Sequence, residues 1–304
     1  MNIAFIEPGL HLCGGIRRII ESANRLILFG HQVTIYTPTG APCKWLSCTA
    51  PVKKLSKLVQ TSYDAVIFNL ADQYMWASKA NATKKFFWVL APEALYKEPT
   101  IPVKALKAGF TLLANSTFTV TYIKKFLPKY GDIPIIPGGI NPEHFKYAPM
   151  VVKEYDVLYY GSSRPWKGTM LIEQAIKSLP GVKVLKMEGL NTPQEQMYRL
   201  YSKCTCYVSA GQVEGFSMPP LEAMACGCTV VSTDDGGSRD FIVPEINAIR
   251  VPRSVSGIAA GIKRVLGDKI LRRNLIKEGL KTASQERYNW DSATRQLVAV
   301  LLAY

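Results

Sequence analysis

The sequence predicts an α/β protein built from two doubly wound parallel sheets. Three observations carry this prediction. Short apolar runs of strand type alternate with amphipathic helical stretches along nearly all of the 304 residues. The alternation breaks once, at 133–149, where IPIIPGGINPEHFKYAP loses its period and gathers proline and glycine. Glycine-bearing loops follow several strand-like runs, and open parallel sheets bind ligands outside the carboxyl ends of their strands.

The elements follow in order. NIAFI (2–6) is a strand. A Gly-Gly loop leads into an amphipathic helix over 15–29 that stops at Gly30, a residue free to take the left-handed conformation of a helix end. QVTIY (32–36), DAVIFN (64–69), KFFWVL (85–90) and TLLAN (111–115) are short apolar runs of buried-strand type. Ser116 is placed to cap a helix over 117–127. The proline-rich junction then separates a domain of residues 1–149 from a second one beginning at 150. There the alternation restarts with YDVLYYG (155–161), a helix near 168–178, VKVLKM (182–187), a helix near 193–203 and TCYVS (205–209). A helix entered through Pro219 and Pro220, the strand TVVST (229–233), helices through 254–287 and a last helix from Asp291 to about Leu302 complete the chain. Two such domains facing one another leave a cleft between them for a ligand.

Composition narrows the functional classes. The chain is 48% hydrophobic and 20% charged, ordinary for a globular protein. Met1-Asn2 runs straight into an apolar strand, without the basic start of a secretory signal, and no apolar run is long enough to span a bilayer. The 7 cysteines are an odd number for a disulfide framework, so a soluble protein of a reducing cytoplasm is expected. Cys204/Cys206 and Cys226/Cys228 lack zinc-knuckle spacing and read as buried thiols. The net charge is +14; residues 1–149 hold 17 Lys and Arg against 8 Asp and Glu, and the remainder holds 20 against 15. A field of this sign suits anionic partners such as nucleotides and phospholipid surfaces. Nucleic acid is disfavoured, because no aromatic platforms interleave with the lysines and no nucleic-acid module is recognisable.

Four loops after strands could carry chemistry. Gly14 and Gly15 open the first helix, where a bare backbone and free N–H groups can approach an anion. In GSSRPWKG (161–168), Arg164 and Lys167 stand beside a helix start and form a diphosphate clamp. In VEGFSMPPLEAMACG (213–227), the amides of Phe216, Ser217 and Met218 after Gly215 point at a phosphate seat. Glu214 lies ahead of that seat and Glu222 lies within the helix. A carboxylate accepts hydrogen bonds from both hydroxyls of a diol, so each can read a ribose or a sugar. In TDDGGSRDFI (233–242), Gly236 and Gly237 again allow close backbone approach, and Asp234-Asp235 reads as a turn pair and not as a metal site.

Taken together these segments resemble the GT-B-fold glycosyltransferases of family 4, the glycosyl transferases group 1. GSSRPWKG, VEGFSMPPLEAMACG with its glutamates separated by seven residues, and DDGG carry the likeness in the second half. CGGIRRIIESANRLILFGHQVTIYT, ANSTFT (114–119) and IPGGINPEHF (136–145) extend it to the first. The resemblance implies two Rossmann-like domains facing a cleft, with residues 150–288 binding the donor and residues 289–304 crossing back onto the first domain. It implies that Arg164 and Lys167 hold the diphosphate of a nucleotide sugar, Glu222 the ribose and Glu214 the transferred sugar, with Gly15 in a loop that closes over the phosphates. The Arg164–Lys167 spacing is shorter than the family's, and Asp240 stands where glutamate is common. The histidine usual in the middle of the first domain is missing, and Glu93 in WVLAPEALY could occupy a comparable acceptor-side place.

The activity so implied is retaining transfer of a sugar from a nucleotide diphosphate sugar to an acceptor hydroxyl, with neither metal nor separate cofactor. The acceptor is a glycan, a lipid or another hydroxyl compound. The basic first domain suggests that it is anionic or held at a membrane surface. A nucleotide-sugar epimerase or hydrolase of the same fold, a basic nucleic-acid-binding protein and an enzyme that glycosylates nucleic acid are the competing readings.

Overall fold

The computed structural model describes residues 1–92, 100–187 and 194–304. They fall into two compact units, one of Met1–Gly139 with Trp290–Tyr304, the other of Ile140–Asn289.

The first unit holds a six-stranded parallel sheet in the order β3-β2-β1-β4-β5-β6. Its strands are β1 (Asn2–Ile6), β2 (Gln32–Thr37), β3 (Val52–Lys54), β4 (Ser62–Phe68), β5 (Asn81–Val89) and β6 (Thr111–Ala114). Side chains alternate between the faces. Ala4, Ile6, Val66, Phe68 and Phe87 pack beneath the segments Leu55–Gln60, Tyr74–Lys79, Thr100–Leu106 and Thr117–Phe126. Ile3, Phe5, Ile67, Phe86 and Trp88 pack beneath the Gly14–Leu28 and Trp290–Ala303 helices. The last helix is fastened there by Leu297 and Leu301, both fully buried, and by Asp291, which accepts from Arg25 Nε at 2.7 Å. Ser116 accepts from the Thr119 amide at 3.1 Å and starts its helix as expected.

The second unit holds a five-stranded parallel sheet in the order β11-β10-β9-β7-β8. Its strands are β7 (Tyr155–Tyr160), β8 (Val184–Met187), β9 (Cys204–Ser209), β10 (Thr229–Ser232) and β11 (Ile249–Arg250). The chain moves outward from β7 to β8 and returns to β9 on the far side of β7, so the switch point lies between β7 and β9. In the first unit the switch lies between β1 and β4. Cys204, Cys206, Cys226 and Cys228 are free, buried thiols.

The structure departs from the sequence reading in small ways. The edge strands β3 and β11 were not foreseen, because a two-lysine triplet and a two-residue strand carry no apolar run. Strand β5 begins at Asn81, before its buried half. The short helices Tyr74–Lys79 and Thr100–Leu106 hold too few turns to show a period. The division between units lies at 139/140, ahead of the boundary read from the proline-rich texture. Residues after it belong to the second unit by their contacts: the Ile140 amide donates to Tyr288 O at 2.8 Å, and the Phe145 and Tyr201 rings lie 6.2 Å apart. Among the described residues no helix is long and apolar enough to cross a membrane.

Leu297→Ala should cost about 2–5 kcal/mol through the cavity left in a fully buried site. The expected outcome is a clear fall in melting temperature measured by scanning calorimetry.

Candidate functional site

The site is assembled from the loops after β7, β9 and β10. After β7 the chain makes a tight turn over Pro165–Lys167, and Gly168 takes a left-handed conformation (φ 72°) before the Thr169–Lys177 helix. A Cβ at 168 would collide with the Ala210 carbonyl, so glycine is required both by φ and by the approach of the two loops. The Gln212 amide donates to Trp166 O at 2.9 Å and joins the loops through their backbones.

This juxtaposition brings Lys167 Nζ within 2.6 Å of Glu214 Oε1. The side chains retain 36% and 16% of their exposure respectively. Burial pushes the Glu214 carboxyl above its ordinary range and Asp235 adds to that, while Lys167 and, more weakly, Arg164 oppose it. Arg164 is exposed, with its guanidinium 5.8 Å from the Trp166 ring centre. Glu214 is fixed from the other side by the loop after β10. Its amide donates to Asp235 O at 2.9 Å, and it bridges Gly236. A Cβ at Gly237 would lie 2.5 Å from Glu214 O.

The Met218–Ala225 helix begins beside this pair. Ser217, its N-cap, sits in the left-handed region (φ 64°, ψ 64°), which costs a non-glycine residue on the order of 1–3 kcal/mol. Pro219 and Pro220 occupy the first turn and have no N–H. Of the four donors that a helix leaves unpaired at its start, those of Ser217 and Met218 therefore remain. The Phe216 ring is buried against Phe241 and Tyr288, so this residue offers its backbone to the surroundings.

Glu222 is placed differently from Glu214. It is 1% exposed, and its Oε2 accepts from the Tyr201 hydroxyl at 2.9 Å. Tyr201 is fully buried, and its phenol is held well above its ordinary pKa by burial first and by Glu222 next, so it stays a neutral donor. The hydroxyl of Tyr160 lies 3.3 Å away. Tyr207, within electrostatic reach of Glu222, Glu214 and Asp235, is likewise pushed well up, chiefly by burial.

The two aspartates serve their turn. Asp234 takes three hydrogen bonds of 2.8–3.1 Å from Arg239 and one of 3.2 Å from the Gly236 amide. Asp235 Oδ1 accepts from the Ser238 amide at 2.9 Å. Gly14 and Gly15 belong to the first unit, where they open the Gly14–Leu28 helix. A Cβ at Gly15 would meet nothing closer than 4.0 Å, so packing among the described residues does not demand glycine there. Glu93 lies outside the described residues.

Sequence reasoning missed Tyr201, which looks like an ordinary helical aromatic until its hydroxyl is seen on Glu222. It also missed Glu7, fully buried directly after β1 at the switch point. Asn69 Nδ2 donates to Glu7 Oε1 at 2.7 Å, and Oε2 finds no partner among the described residues. Burial holds this carboxyl well above its ordinary range, and nearby Asp72 adds to the shift. A carboxylate at the end of a first parallel strand was the available signal. Buried Arg18, with its Nη1 donating to Ile136 O at 2.7 Å and its pKa lowered to about 9 by burial, was hidden in a helical pattern.

This geometry sits in a known setting. Residues 189–282 match the family described as Glycosyl transferases group 1. The fold is GT-B: the structure superposes on sucrose-phosphate synthase from Thermosynechococcus elongatus with a TM-score of 0.81 and 17% identity, covering 99% of this chain and 98% of that one. It superposes on Anabaena HepE in complex with UDP-glucose with a TM-score of 0.79 and 18% identity over 100% of both chains. In sequence the chain is similar to the lipopolysaccharide 1,2-N-acetylglucosaminetransferase of Salmonella typhimurium. The two are 26% identical over 246 residues, which cover 66% of this chain and 62% of that relative, so the chain spans less than two thirds of its length.

Tyr201→Phe removes the donor to a buried carboxylate oxygen and should destabilise the protein by about 1–3 kcal/mol. Thermal unfolding of the otherwise isosteric variant checks this.

Proposed function

We propose that this chain transfers a sugar from a nucleotide diphosphate sugar to an acceptor hydroxyl, with retention at the anomeric carbon and without a metal. The observation that carries this reading is the Lys167–Glu214 pair beside the left-handed start of the Met218–Ala225 helix. The pair sets a cation, an acid and free amides at the switch point of one sheet. An incoming diphosphate competes for Lys167, with Arg164 and the Ser217 and Met218 amides as further donors. Glu214, released from its partner, then faces the sugar. Glu222, braced by the Tyr201 hydroxyl, is the carboxylate we assign to the ribose diol.

In the reaction the bond from the anomeric carbon to the diphosphate oxygen breaks. The acceptor oxygen bonds to the same face of that carbon, and its proton passes to the departing phosphate. Negative charge builds on the leaving group, where Lys167, Arg164 and the amides stabilise it; one such group is worth roughly 3–4 kcal/mol in a preorganised site. These cations do the work a metal would otherwise do. The uridine nucleotide held by the Anabaena neighbour makes UDP-sugars the first donors to try.

The first unit favours an anionic acceptor or surface. The segments Leu55–Gln60, Tyr74–Lys79, Thr100–Leu106 and Thr117–Phe126, on one face of its sheet, contain no Asp or Glu, and exposed Asp72 stands beside them in the turn before Tyr74. They expose Met75, Trp76 and Ile101 alongside Lys57, Lys79, Lys104, Lys124 and Lys125. Apolar tips among lysines suit a bilayer of anionic lipid, where each lysine contributes about 1 kcal/mol.

A scan of thermal stabilisation by UDP, GDP, ADP and their sugars should find one strong stabiliser. With that donor, Lys167→Ala and Glu214→Ala should each lower kcat/KM by about a hundredfold or more, while excess EDTA leaves the wild type active. Near-full turnover in both variants, or loss of activity with EDTA, overturns the scheme. Vesicles containing phosphatidylglycerol should co-sediment the protein at low salt and release it at high salt, and phosphatidylcholine vesicles should not. Equal behaviour toward both rejects the membrane reading.

A further inference from the structure

We propose that Arg253 is a positioning residue for the diphosphate seat, acting through the backbone of the loops that carry Lys167 and Glu214. The inference rests on the function proposed above and assigns a role to a residue whose hydrogen bonds go to backbone carbonyls of those loops.

Arg253 follows the edge strand β11 and precedes the Val255–Gly267 helix, which Ser254 caps by accepting from the Gly257 amide at 3.0 Å. Its backbone is anchored on both sides, since the Val251 amide donates to Ser232 O at 3.0 Å and the Ser254 amide to Pro252 O at 2.8 Å. From this fixed root the guanidinium forks. Nε donates to Ala210 O at 3.0 Å, and Nη2 donates to Pro165 O at 3.2 Å. Ala210 follows β9, and Pro165 is the first residue of the turn that ends in Lys167. One planar group thus ties together the two loops that flank the switch point.

That turn is tied to the neighbouring loop at several points, and the fork is the one that reaches its first residue, Pro165. Its own bonds, from the Lys167 amide to Arg164 O at 3.0 Å and from the Gly168 amide to Pro165 O at 3.1 Å, are internal and set its shape only. Its placement against the 210–214 loop draws on the Gln212–Trp166 backbone bond, the abutment of Gly168 on the Ala210 carbonyl, the Lys167–Glu214 pair and the Arg253 fork. Both carbonyls that Arg253 holds lie at that abutment. Removing the guanidinium releases the Pro165 end of the turn, and Lys167 loses part of its register on Glu214. Lysine is no substitute, because an ammonium on a flexible stem is a point donor and does not reproduce the rigid fork.

Isothermal titration of the full chain with UDP and UMP, and with GDP and GMP, tests the role. Wild type should prefer the diphosphate of one pair. Arg253→Ala should lose on the order of tenfold in affinity for that diphosphate while its affinity for the monophosphate stays within about twofold, and Arg253→Lys should not restore the preference. Equal losses for both ligands mark a residue that merely holds the fold together and overturn the proposal, as does an unchanged preference in Arg253→Ala. Full rescue by Arg253→Lys shows that charge alone acts, and overturns it too. A wild type that binds all four nucleotides without preferring a diphosphate removes the proposed function itself, and the inference with it.

Discussion

The second unit is organised around one ion pair, Lys167 with Glu214. Glu214 is pulled out of water by the backbone ladder that fixes it to Asp235 and Gly236. A carboxylate so placed is unfavourable unless a cation accompanies it. Lys167 arrives from a separate loop, and the two can meet only because the backbones come unusually close. The glycines at 168 and 237 are consequences of that demand. The pair is only partly covered, so its strength depends on how much water the surroundings admit. A ligand that displaces water and contributes its own negative charge changes both terms at once.

The two sheets treat a carboxylate at their switch points in opposite ways. Glu214 is given a lysine and remains responsive to what else binds that lysine. Glu7 is given the amide of Asn69, and burial favours its neutral form. Glu222 is a third solution, a carboxylate buried against a phenol that resists ionisation. The same residue type is therefore poised to respond, silenced or braced, according to the partner that the fold supplies.

Much of this was legible in the sequence, for definite reasons. The βα alternation is visible because both faces of each sheet are covered and the strands read as apolar runs. The loops with Arg164, Lys167, Glu214 and Gly236 could be placed because each follows such a run. What stayed hidden depends on long-range approach. Nothing in the spacing of 167 and 214 says that they touch, and Tyr201 carries no mark of its bond to Glu222. The left-handed Ser217 is invisible because serine does not advertise that conformation as glycine does. The edge strands β3 and β11 are held by pairing with a neighbour and not by any apolar pattern of their own. The proline-rich junction was recognised as a break, but composition could not show which unit its residues would pack upon.

The first unit is discontinuous along the chain: its sheet comes from the beginning, and one of the helices that cover it comes from 290–303. The second unit is continuous. During synthesis, therefore, the later unit can finish first. The earlier one must wait on the ribosome with Ile3, Phe5 and Trp88 lacking part of their cover until the last helix emerges. For that interval the nascent chain carries an apolar face that the finished fold covers.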